Sequence, residues 1–389
     1  MIRIAILGST GSIGRSTLEV VTRHPERFEV VSLAAHRNVE LLSEQVQRFR
    51  PKRAVLADET CRVADTGGAT WRSGMQALID LASDPEVDVV VNALVGAVGL
   101  APTIACLEAG HRLALANKES LVAGGALVLD AAARGRGSIV PIDSEHSAIL
   151  QCLAGQPTTA VQRLILTASG GPFRGRNHEE FWHVGPDEAL KHPTWDMGVK
   201  ITIDSATLAN KALEVIEAHF LYGLEYNRIQ AVVHPQSIVH SFVEFVDGSV
   251  LAQLGFPTME LPILYALSYP ERIGDATLRT FDPVQASPLT FEEIDQGAFP
   301  LYGLGTAAGA AGGAAAAAFN AGNEIAVQAF IQGAIRFPEM ADVVSAAIDG
   351  TGSGDLSNIH DVIAVDGTAR VIATEAASRL GEARMRTNS

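Results

Sequence analysis

The chain has 389 residues, which is long enough for two or three domains with separate cores. Hydrophobic residues make up 47% of it, a composition that excludes a disordered chain. The net charge of −15 argues against general nucleic-acid binding, because no basic stripe is present to neutralise backbone phosphates. A phosphorylated small molecule needs only a few local donors, so it stays compatible with this charge.

The cysteines and the apolar segments indicate the cellular location of the protein. Cys61, Cys106 and Cys152 are few and scattered, and they predict neither a disulfide framework nor a zinc site. The first strand begins at Ile2, which leaves no room for a signal peptide. The Gly/Ala-rich segment 305–318 is too short and too weakly apolar to span a bilayer. We therefore expect a soluble, cytoplasmic protein that binds neither nucleic acid nor a membrane.

Short apolar strands alternate with helical patterns over residues 1–142. This alternation predicts a parallel sheet with crossover helices, as in a Rossmann-type dinucleotide-binding domain. The predicted strands are Ile2–Leu7, Val30–Ala34, Ala54–Ala57, Val87–Asn92, Arg112–Ala116 and Ser138–Pro141, and the clearest helices are Ile13–Thr22 and Val39–Phe49.

The pattern changes at residue 143 and again at residue 270. Residues 143–269 predict an α+β domain, in which the strand Val161–Ala168 precedes a long loop and a helix. Further strands follow, joined at Asp247-Gly248, a pair typical of two-residue hairpins. Residues 270–300 are interpreted as a linker. Residues 301–389 are Ala-rich and predict a helical domain, with Gly305–Gly313 expected to be a loop or a loosely packed helix start.

A glycine-rich turn directly follows the first strand and opens a helix. It runs Gly8-Ser9-Thr10-Gly11-Ser12-Ile13-Gly14, with the spacing G-x-x-G-x-x-G. Glycines let backbone N–H groups approach a pyrophosphate at a helix N-terminus. The turn therefore predicts dinucleotide binding.

The end of the second strand favours NADP(H) over NAD(H). An NAD site places an acidic residue there, which binds the ribose 2′-hydroxyl. This chain has His36-Arg37-Asn38 instead, and a guanidinium can pair with a 2′-phosphate. The alternative is an ordinary surface arginine.

Two polar groups follow later strands at the carboxyl end of the sheet, where open α/β sheets bind ligands. Asn117-Lys118-Glu119 is expected to contact the nicotinamide half of the cofactor or the substrate. In an extended segment, Asp143 and Glu145 would lie on one side and Ser144 on the other. With Glu214 as a third carboxylate they would form an oxygen-only site for Mg²⁺ or Mn²⁺. Without it they would be ordinary solvated acids.

The loop after Val161–Ala168 carries the features of a lid. Ser169-Gly170-Gly171 offers a hydroxyl and a flexible backbone, and His192, Trp195 and Met197 follow before the next helix. A loop of this length in a compact domain often closes over a ligand. His192 alone could equally be structural.

The segment Ile203–His219 predicts a helix with an unusual polar face. Asp204 or Ser205 would cap it, leaving N–H groups for an anion. One face carries a hydroxyl, an amide, an ammonium and carboxylates, on Thr207, Asn210, Lys211, Glu214 and Glu217. The alternative interpretation is an amphipathic helix with a solvated side.

Together these residues resemble the 1-deoxy-D-xylulose 5-phosphate reductoisomerase family of the non-mevalonate isoprenoid pathway. The similar stretches occur in the family's order and span most of the chain. They are GSTGSIG at Gly8, LANKES at Leu115, DSEHSA at Asp143, SGGPF at Ser169, HPTWDMGVKITIDSATLANKALEVIEAH at His192 and HPQSIVHS at His234, with GNE at Gly322 weaker.

The resemblance implies a role for each matched residue. The metal would be held by Asp143, Glu145 and Glu214, with Ser144 and Lys118 beside the reacting part of the substrate. The substrate's phosphate and hydroxyls would be bound by Ser169, His192, Ser205, Asn210 and Lys211. Trp195 and Met197 would belong to a flap. The cofactor site would comprise Gly8 to Gly14, His36, Arg37, Asn38, Asn117, Lys118 and Glu119. Glu217 stays unassigned.

The implied activity is an NADPH- and divalent-metal-dependent rearrangement and reduction of a sugar phosphate, 1-deoxy-D-xylulose 5-phosphate, by a homodimer. The preferred metal, the proton-transfer group and the rearrangement route, by migration or by cleavage and re-addition, stay open. One departure is that His36-Arg37 stands where the family has Gly-Lys, although the positive charge is kept. Two rival hypotheses are a plain NADP-dependent dehydrogenase and a non-catalytic NADP sensor.

Overall fold

The computed structural model describes residues 1–63, 67–195, 197–352 and 354–387, with the backbone alone at 385–387. The chain divides into two compact units. The first unit comprises Met1–Ser120, Ala126–Leu150 and Thr258–Thr280. The second comprises Leu121–Gly125, Gln151–Pro257 and the chain from Phe281 onward. The predicted four-part division, at residues 142, 269 and 300, stays a prediction.

The first unit is built on a seven-stranded parallel sheet with the strand order β4-β3-β2-β1-β5-β6-β7. Its strands are β1 (Ile2–Leu7), β2 (Phe28–Ala35), β3 (Arg53–Leu56), β4 (Thr70–Ser73), β5 (Val89–Asn92), β6 (Arg112–Leu115) and β7 (Ser138–Pro141). Its helices are α1 (Ser12–Arg23), α2 (Val39–Phe49), α3 (Met75–Ala82), α4 (Leu100–Glu108), α5 (Glu119–Gly135) and α6 (Ser144–Cys152). The last two cross the boundaries between the units.

Apolar side chains explain why the central strands are buried on both faces. Ile4 and Ile6 of β1 and Val91 of β5 have no exposed surface. Such continuous apolar runs are typical of parallel sheets covered by helices. Helix α10 (Glu260–Ser268), which comes much later in the chain, completes this unit. Arg23 at the end of α1 binds Glu260 of that helix at 2.7 Å.

The second unit contains a four-stranded sheet with the order β11-β10-β8-β9. The pairing of β8 with β9 is parallel, and the other two pairings are antiparallel. Its strands are β8 (Val161–Ala168), β9 (Ile229–Val233), β10 (Val239–Phe245) and β11 (Val250–Leu254). The remaining helices of the chain are α7 (Pro186–Ala189), α8 (Val199–Ala206), α9 (Ala209–Tyr222), α10 (Glu260–Ser268), α11 (Pro283–Ala286), α12 (Pro300–Ala311), α13 (Ala314–Ile331), α14 (Glu339–Thr351) and α15 (Ile359–Thr387).

The Gly/Ala-rich segment lies in two helices, since α12 ends at Ala311 and α13 begins at Ala314. The expectation of a loop or a loosely packed helix start over Gly305–Gly313 is therefore wrong for all but Gly312 and Gly313. A Cβ atom on Gly305 would lie 2.6 Å from the Cβ of Ala212 on α9. One on Gly309 would lie 2.5 Å from Ile216, one turn further along α9. Residues without side chains let two helix backbones approach closely, so these glycines define where α12 meets α9.

The predicted α/β fold with a parallel sheet and a helical C-terminal region is confirmed. The bounds of β1, α2 and β8 agree with the sequence-based expectation. Strand β4 was not predicted, and the loop after β8 contains α7 and a short 3-10 helix, His178–His183. Among the residues that the structure describes, none of the helices has the length and apolar character needed to cross a lipid bilayer.

Candidate active site

The glycine-rich turn joins β1 to α1 and is shaped by close backbone contacts. Gly8 has a positive φ of 86°, and a Cβ there would lie 2.5 Å from the carbonyl oxygen of Ala93. A Cβ on Gly14 would lie 2.3 Å from the carbonyl oxygen of Gly8. The first hydrogen bond within α1 joins the Arg15 N–H to the Gly11 carbonyl at 2.9 Å. The N–H groups before it have no partner inside the helix, and such groups can bind an anion.

The side chain of Ser9 serves the fold. Its hydroxyl donates to Gln45 Oε1 at 2.7 Å, and Gln45 Nε2 donates back to the Ser9 carbonyl at 2.9 Å. Both side chains are buried. Helix α2 therefore holds the turn in place, and this role of Gln45 was not predicted.

The second strand ends in the predicted basic group. The Arg37 side chain is 71% exposed, while Asn38 caps α2 by accepting from the Leu41 N–H at 3.1 Å. The guanidinium Nε donates to Asp58, which follows β3. No acid was predicted here, because Asp58 is remote in the sequence and only strand pairing brings it to Arg37.

Asn117 follows β6 and organises the loop after β5. Its amide donates to the carbonyls of Leu94 and Gly96 at 2.9 and 3.0 Å, and it is fully buried. Glu119 accepts from the same amide at 3.1 Å. All predicted cofactor residues thus follow β1, β2 or β6, at the carboxyl edge of one parallel sheet.

Asp143 lies at the same edge, just after β7. Its Oδ2 accepts from Lys118 Nζ at 2.5 Å, and these side chains are only 12% and 5% exposed. Its Oδ1 accepts from the Glu145 N–H at 3.2 Å, which makes Asp143 a cap for α6. The predicted extended geometry is wrong, since a helix begins at Ser144, whose hydroxyl donates to Glu145 Oε2 at 2.5 Å.

In the second unit, the single predicted helix is in fact two. Helix α8 ends at Ala206 and α9 begins at Ala209, because Leu208 adopts a left-handed conformation with φ of 59°. Ser205 therefore lies in the last turn of α8, so its predicted place at a helix start is wrong. Asp204 is no cap either: it is fully buried, and it binds Lys200 at 2.9 Å and Asn323 at 2.7 Å.

The polar face of α9 points into the protein. Lys211 and Glu214 are 3% and 1% exposed, and Glu217 is fully buried, which excludes a solvated face. Lys211 Nζ donates to Glu214 Oε2, and Asn210 donates to Glu214 Oε1 at 2.5 Å. Buried charges persist where they are paired and hydrogen-bonded. Glu214 is thus a carboxylate held in one orientation by two neighbours of its own helix.

Ser169 and His192 form a hydrogen-bonded pair. His192 Nδ1 accepts from the N–H groups of Thr194 and Trp195 at 3.0 and 2.9 Å, so its Nε2 carries the proton and donates to Ser169 Oγ at 3.0 Å. Burial lowers the pKa of His192, which favours this neutral form. Ser169 also accepts from the Gly171 N–H, and its own hydroxyl hydrogen can go to a ligand. Trp195 and Met197 are half-buried.

The matched His234 is structural. It is fully buried, its Nδ1 donates to the Thr290 carbonyl at 2.8 Å, and its Nε2 accepts from the N–H groups of Ile238 and Val239 at 3.1 Å. Burial lowers its pKa as well. This histidine joins the chain between β9 and β10 to the segment around residue 290.

The donor set fits the predicted metal. The three predicted ligands, Asp143, Glu145 and Glu214, are all carboxylates. Carboxylate oxygens without nitrogen or sulfur ligands suit Mg²⁺ and Mn²⁺. The lysine beside Asp143 and the lysine beside Glu214 show that both carboxylates already attract positive charge.

A glycine-rich turn and carboxylates at one edge of a doubly covered parallel sheet define a dinucleotide-dependent oxidoreductase. Family models described as 1-deoxy-D-xylulose 5-phosphate reductoisomerase match residues 4–125, and models of its two C-terminal domains match residues 139–222 and 254–372. The chain belongs to this family, as predicted, and is an NADP-dependent reductoisomerase.

Individual relatives agree over nearly the whole chain. A 1-deoxy-D-xylulose 5-phosphate reductoisomerase of Paraburkholderia phytofirmans is 48% identical over 99% of this chain and 98% of that protein, and one of Burkholderia pseudomallei is 50% identical over 96% of each. A crystal structure of DOX-P reductoisomerase with NADPH, fosmidomycin and magnesium superposes with a TM-score of 0.92 at 41% identity, covering 97% of this chain and 98% of that chain. The Zymomonas mobilis enzyme with NADPH gives 0.90 at 39% identity, covering 97% and 99%.

Proposed function

We propose that this chain converts 1-deoxy-D-xylulose 5-phosphate to 2-C-methyl-D-erythritol 4-phosphate in non-mevalonate isoprenoid biosynthesis, with NADPH and Mg²⁺ or Mn²⁺. One observation carries this proposal. A single sheet edge presents a dinucleotide turn after β1 and the carboxylates Asp143 and Glu145 after β7. These strands are three positions apart, about 14 Å at the usual strand spacing, which an extended dinucleotide can cover. Hydride transfer alone needs no such carboxylates.

The carboxylates Asp143, Glu145 and Glu214 are the proposed metal ligands. A bound divalent ion supplies Lewis-acid polarisation of the substrate ketone, and NADPH supplies the hydride. Lys118 orients Asp143 through its 2.5 Å contact. Its ammonium, or a water beside it, is the proposed proton-transfer group, and Ser144 lies next to the reacting carbons.

The phosphate and hydroxyls of the substrate are assigned to residues of the second unit. Ser169 offers its hydroxyl hydrogen from a fixed position, because Ser169 Oγ accepts from His192 Nε2 and from the Gly171 N–H, and His192 belongs to the proposed set beside it. Lys211 and Asn210 lie at the start of α9, where helix N–H groups add positive potential. Ser205 completes the proposed set from the end of α8. Fixing the phosphate in this way orients the carbon skeleton for reaction.

Trp195 and Met197 are proposed to close over the bound substrate. Both follow His192, whose Nδ1 holds the turn at Thr194 and Trp195. The segment continues into α8 at the exposed Gly198. A lid anchored at both ends in this way would exclude water during rearrangement.

NADPH is assigned to the sheet edge of the first unit. Backbone N–H groups of Gly8 to Gly14 would bind its pyrophosphate. Arg37, flanked by His36 and Asn38, would bind the 2′-phosphate, and the Asn117–Glu119 segment would contact the nicotinamide half. Ser9 can contribute only its backbone, because its side chain is bound to Gln45.

A cytoplasmic homodimer is the proposed form of the enzyme. Strand β11 is an edge strand, and Val250 and Leu251 on it are 51% and 46% exposed. An exposed apolar edge strand is suited to pair with a second copy. Leu251→Lys should shift the sedimentation of the protein towards the monomer, and unchanged sedimentation would contradict this interface.

The decisive experiment follows NADPH oxidation with 1-deoxy-D-xylulose 5-phosphate, with Mg²⁺ or Mn²⁺ and with excess EDTA. The proposal expects metal-dependent turnover and a branched, C-methylated product identified by NMR. Full turnover in EDTA with an unbranched product would favour a plain dehydrogenase. If NADPH bound tightly but no sugar phosphate caused its oxidation, the result would favour a non-catalytic NADP sensor.

A further inference from the structure

An ion pair at the ends of β2 and β3 contains an acid that the proposed reaction does not use. Arg37 Nε donates to Asp58 Oδ2, although the two residues are far apart in sequence. Backbone pairing of the strand type continues beyond the end of β3. The Ala57 N–H donates to the Ala35 carbonyl at 2.9 Å, and the Asp58 N–H donates to the His36 carbonyl at 3.1 Å. The backbone therefore holds the two side chains next to each other.

Asp58 is fixed more firmly than its partner. Its side chain is 10% exposed, and that of Arg37 is 71% exposed. Its Oδ1 accepts from the Thr60 N–H at 2.8 Å and the Thr60 hydroxyl at 2.6 Å, which leaves Oδ2 to Arg37. The hydroxyl and N–H of Thr60, together with Arg37, hold the pKa of Asp58 well below its usual range. Asp58 is thus a rigid anion at neutral pH.

The contact engages only one edge of the guanidinium. Among the described residues, Nε alone of the Arg37 nitrogens is hydrogen-bonded, so both terminal amino groups are available to a ligand. Two parallel N–H bonds from a guanidinium match a phosphate. An exposed ion pair adds little to the stability of the fold, so stability alone does not account for this one.

We propose that Asp58 is a positioning residue for cofactor selectivity, which holds the Arg37 guanidinium in the orientation that binds the 2′-phosphate of NADPH. This inference rests on the proposed use of NADPH. Two other roles predict different outcomes. If Asp58 only neutralised Arg37, its removal would strengthen phosphate binding. If it accepted the 2′-hydroxyl, as the acid of an NAD site does, its removal would weaken NADH binding.

The test is Asp58→Asn in the full-length protein, with ligand binding measured by calorimetry in the absence of substrate. NADPH and 2′,5′-ADP should bind about three- to tenfold more weakly, the range expected when one ordered side chain becomes mobile. NADH and 5′-AMP should bind as in the wild type. Tighter or unchanged NADPH binding, or an equal loss for 5′-AMP, would overturn the proposal.

Two further variants separate positioning from general effects on the fold. In an Arg37→Ala background, Asp58→Asn should have no further effect on NADPH affinity, because the oriented group is already gone. Asp88→Asn removes a carboxylate that binds Arg3 at 2.7 Å on the opposite, amino-terminal edge of the sheet, and it should leave binding unchanged. Because these readouts need no sugar phosphate, a failure of the proposed reaction would be seen separately, as absent turnover in the wild type.

Discussion

The dinucleotide turn of the first unit and helix α9 of the second present polar groups in opposite ways. In the turn, backbone N–H groups face the proposed ligand, and the Ser9 side chain points into the fold. In α9 the proposed contacts are made by side chains, and Lys211 and Glu214 are almost fully buried. A backbone site depends on glycine and tolerates other changes, whereas a buried side-chain site depends on matched charges.

Removing one carboxylate from α9 should show the largest difference between the two regions, because it should affect turnover and leave cofactor binding intact. Glu214→Gln keeps the shape but removes the charge, and its single amide oxygen can accept from only one of Asn210 and Lys211. Turnover should fall about 1000-fold, the loss expected when several kcal/mol of Lewis-acid stabilisation disappear. Calorimetry should show nearly unchanged NADPH affinity. Loss of NADPH binding would contradict the assignment, and Glu225→Gln, at an exposed position, should keep full turnover.

A methyl group in the turn should produce the opposite result. In Gly14→Ala the new Cβ would meet the Gly8 carbonyl, so the turn must shift. NADPH affinity should fall about 10- to 100-fold, equivalent to a cost of about 1–3 kcal/mol. In Gly274→Ala, where no atom lies within 4 Å, affinity should be unchanged. Equal affinities for the two variants would show that the turn is not constrained by its backbone.

The packing behind α9 gives a third test. Gly305→Ala would place a methyl group 2.6 Å from the Ala212 Cβ and push α12 away from α9. We expect a loss of about 1–3 kcal/mol in the free energy of unfolding, measured in urea. The KM for the sugar phosphate should rise while NADPH affinity stays constant. In Gly303→Ala the nearest atom is the flexible end of Gln296, so little should change.

The smallest expected effect is a pH dependence of the free energy of unfolding, caused by His192. Because burial lowers the pKa of His192 in the folded protein, the unfolded chain binds the proton first as the pH falls. The free energy of unfolding should therefore decrease below about pH 6.5 and be insensitive to this group above it. His192→Gln should flatten this dependence in urea titrations at several pH values. An equally steep loss of stability in the variant would assign it to another group.

Elements that are determined by residues close together in the chain could be predicted from the sequence. The strand β1, the glycine-rich turn and helix α2 follow from apolar runs, glycine spacing and the Asn38 cap. Strand β4 was missed because three of its four residues are exposed, so it lacks an apolar pattern. The break at Leu208 was missed because leucine gives no indication of a left-handed backbone.

Features that depend on residues remote in sequence could not be predicted. Asp58 reaches Arg37 only through the pairing of β2 with β3. The close packing of the Gly/Ala-rich segment could not be predicted, because Ala212 on α9, the small residue it packs against, is nearly a hundred positions earlier in the chain. Glycine is flexible in isolation and becomes a packing surface only when another helix lies against it.

The reciprocal bonds between Ser9 and Gln45 also bear on the kinetics of cofactor capture. They hold the turn in its ligand-accepting shape before any dinucleotide arrives, so association needs no slow rearrangement of this loop. Differences in cofactor affinity among variants that keep this pair should then appear mainly as differences in dissociation rate. Gln45 is bonded to the hydroxyl and the carbonyl of Ser9, so its expected effect on cofactor association acts through the shape of the turn.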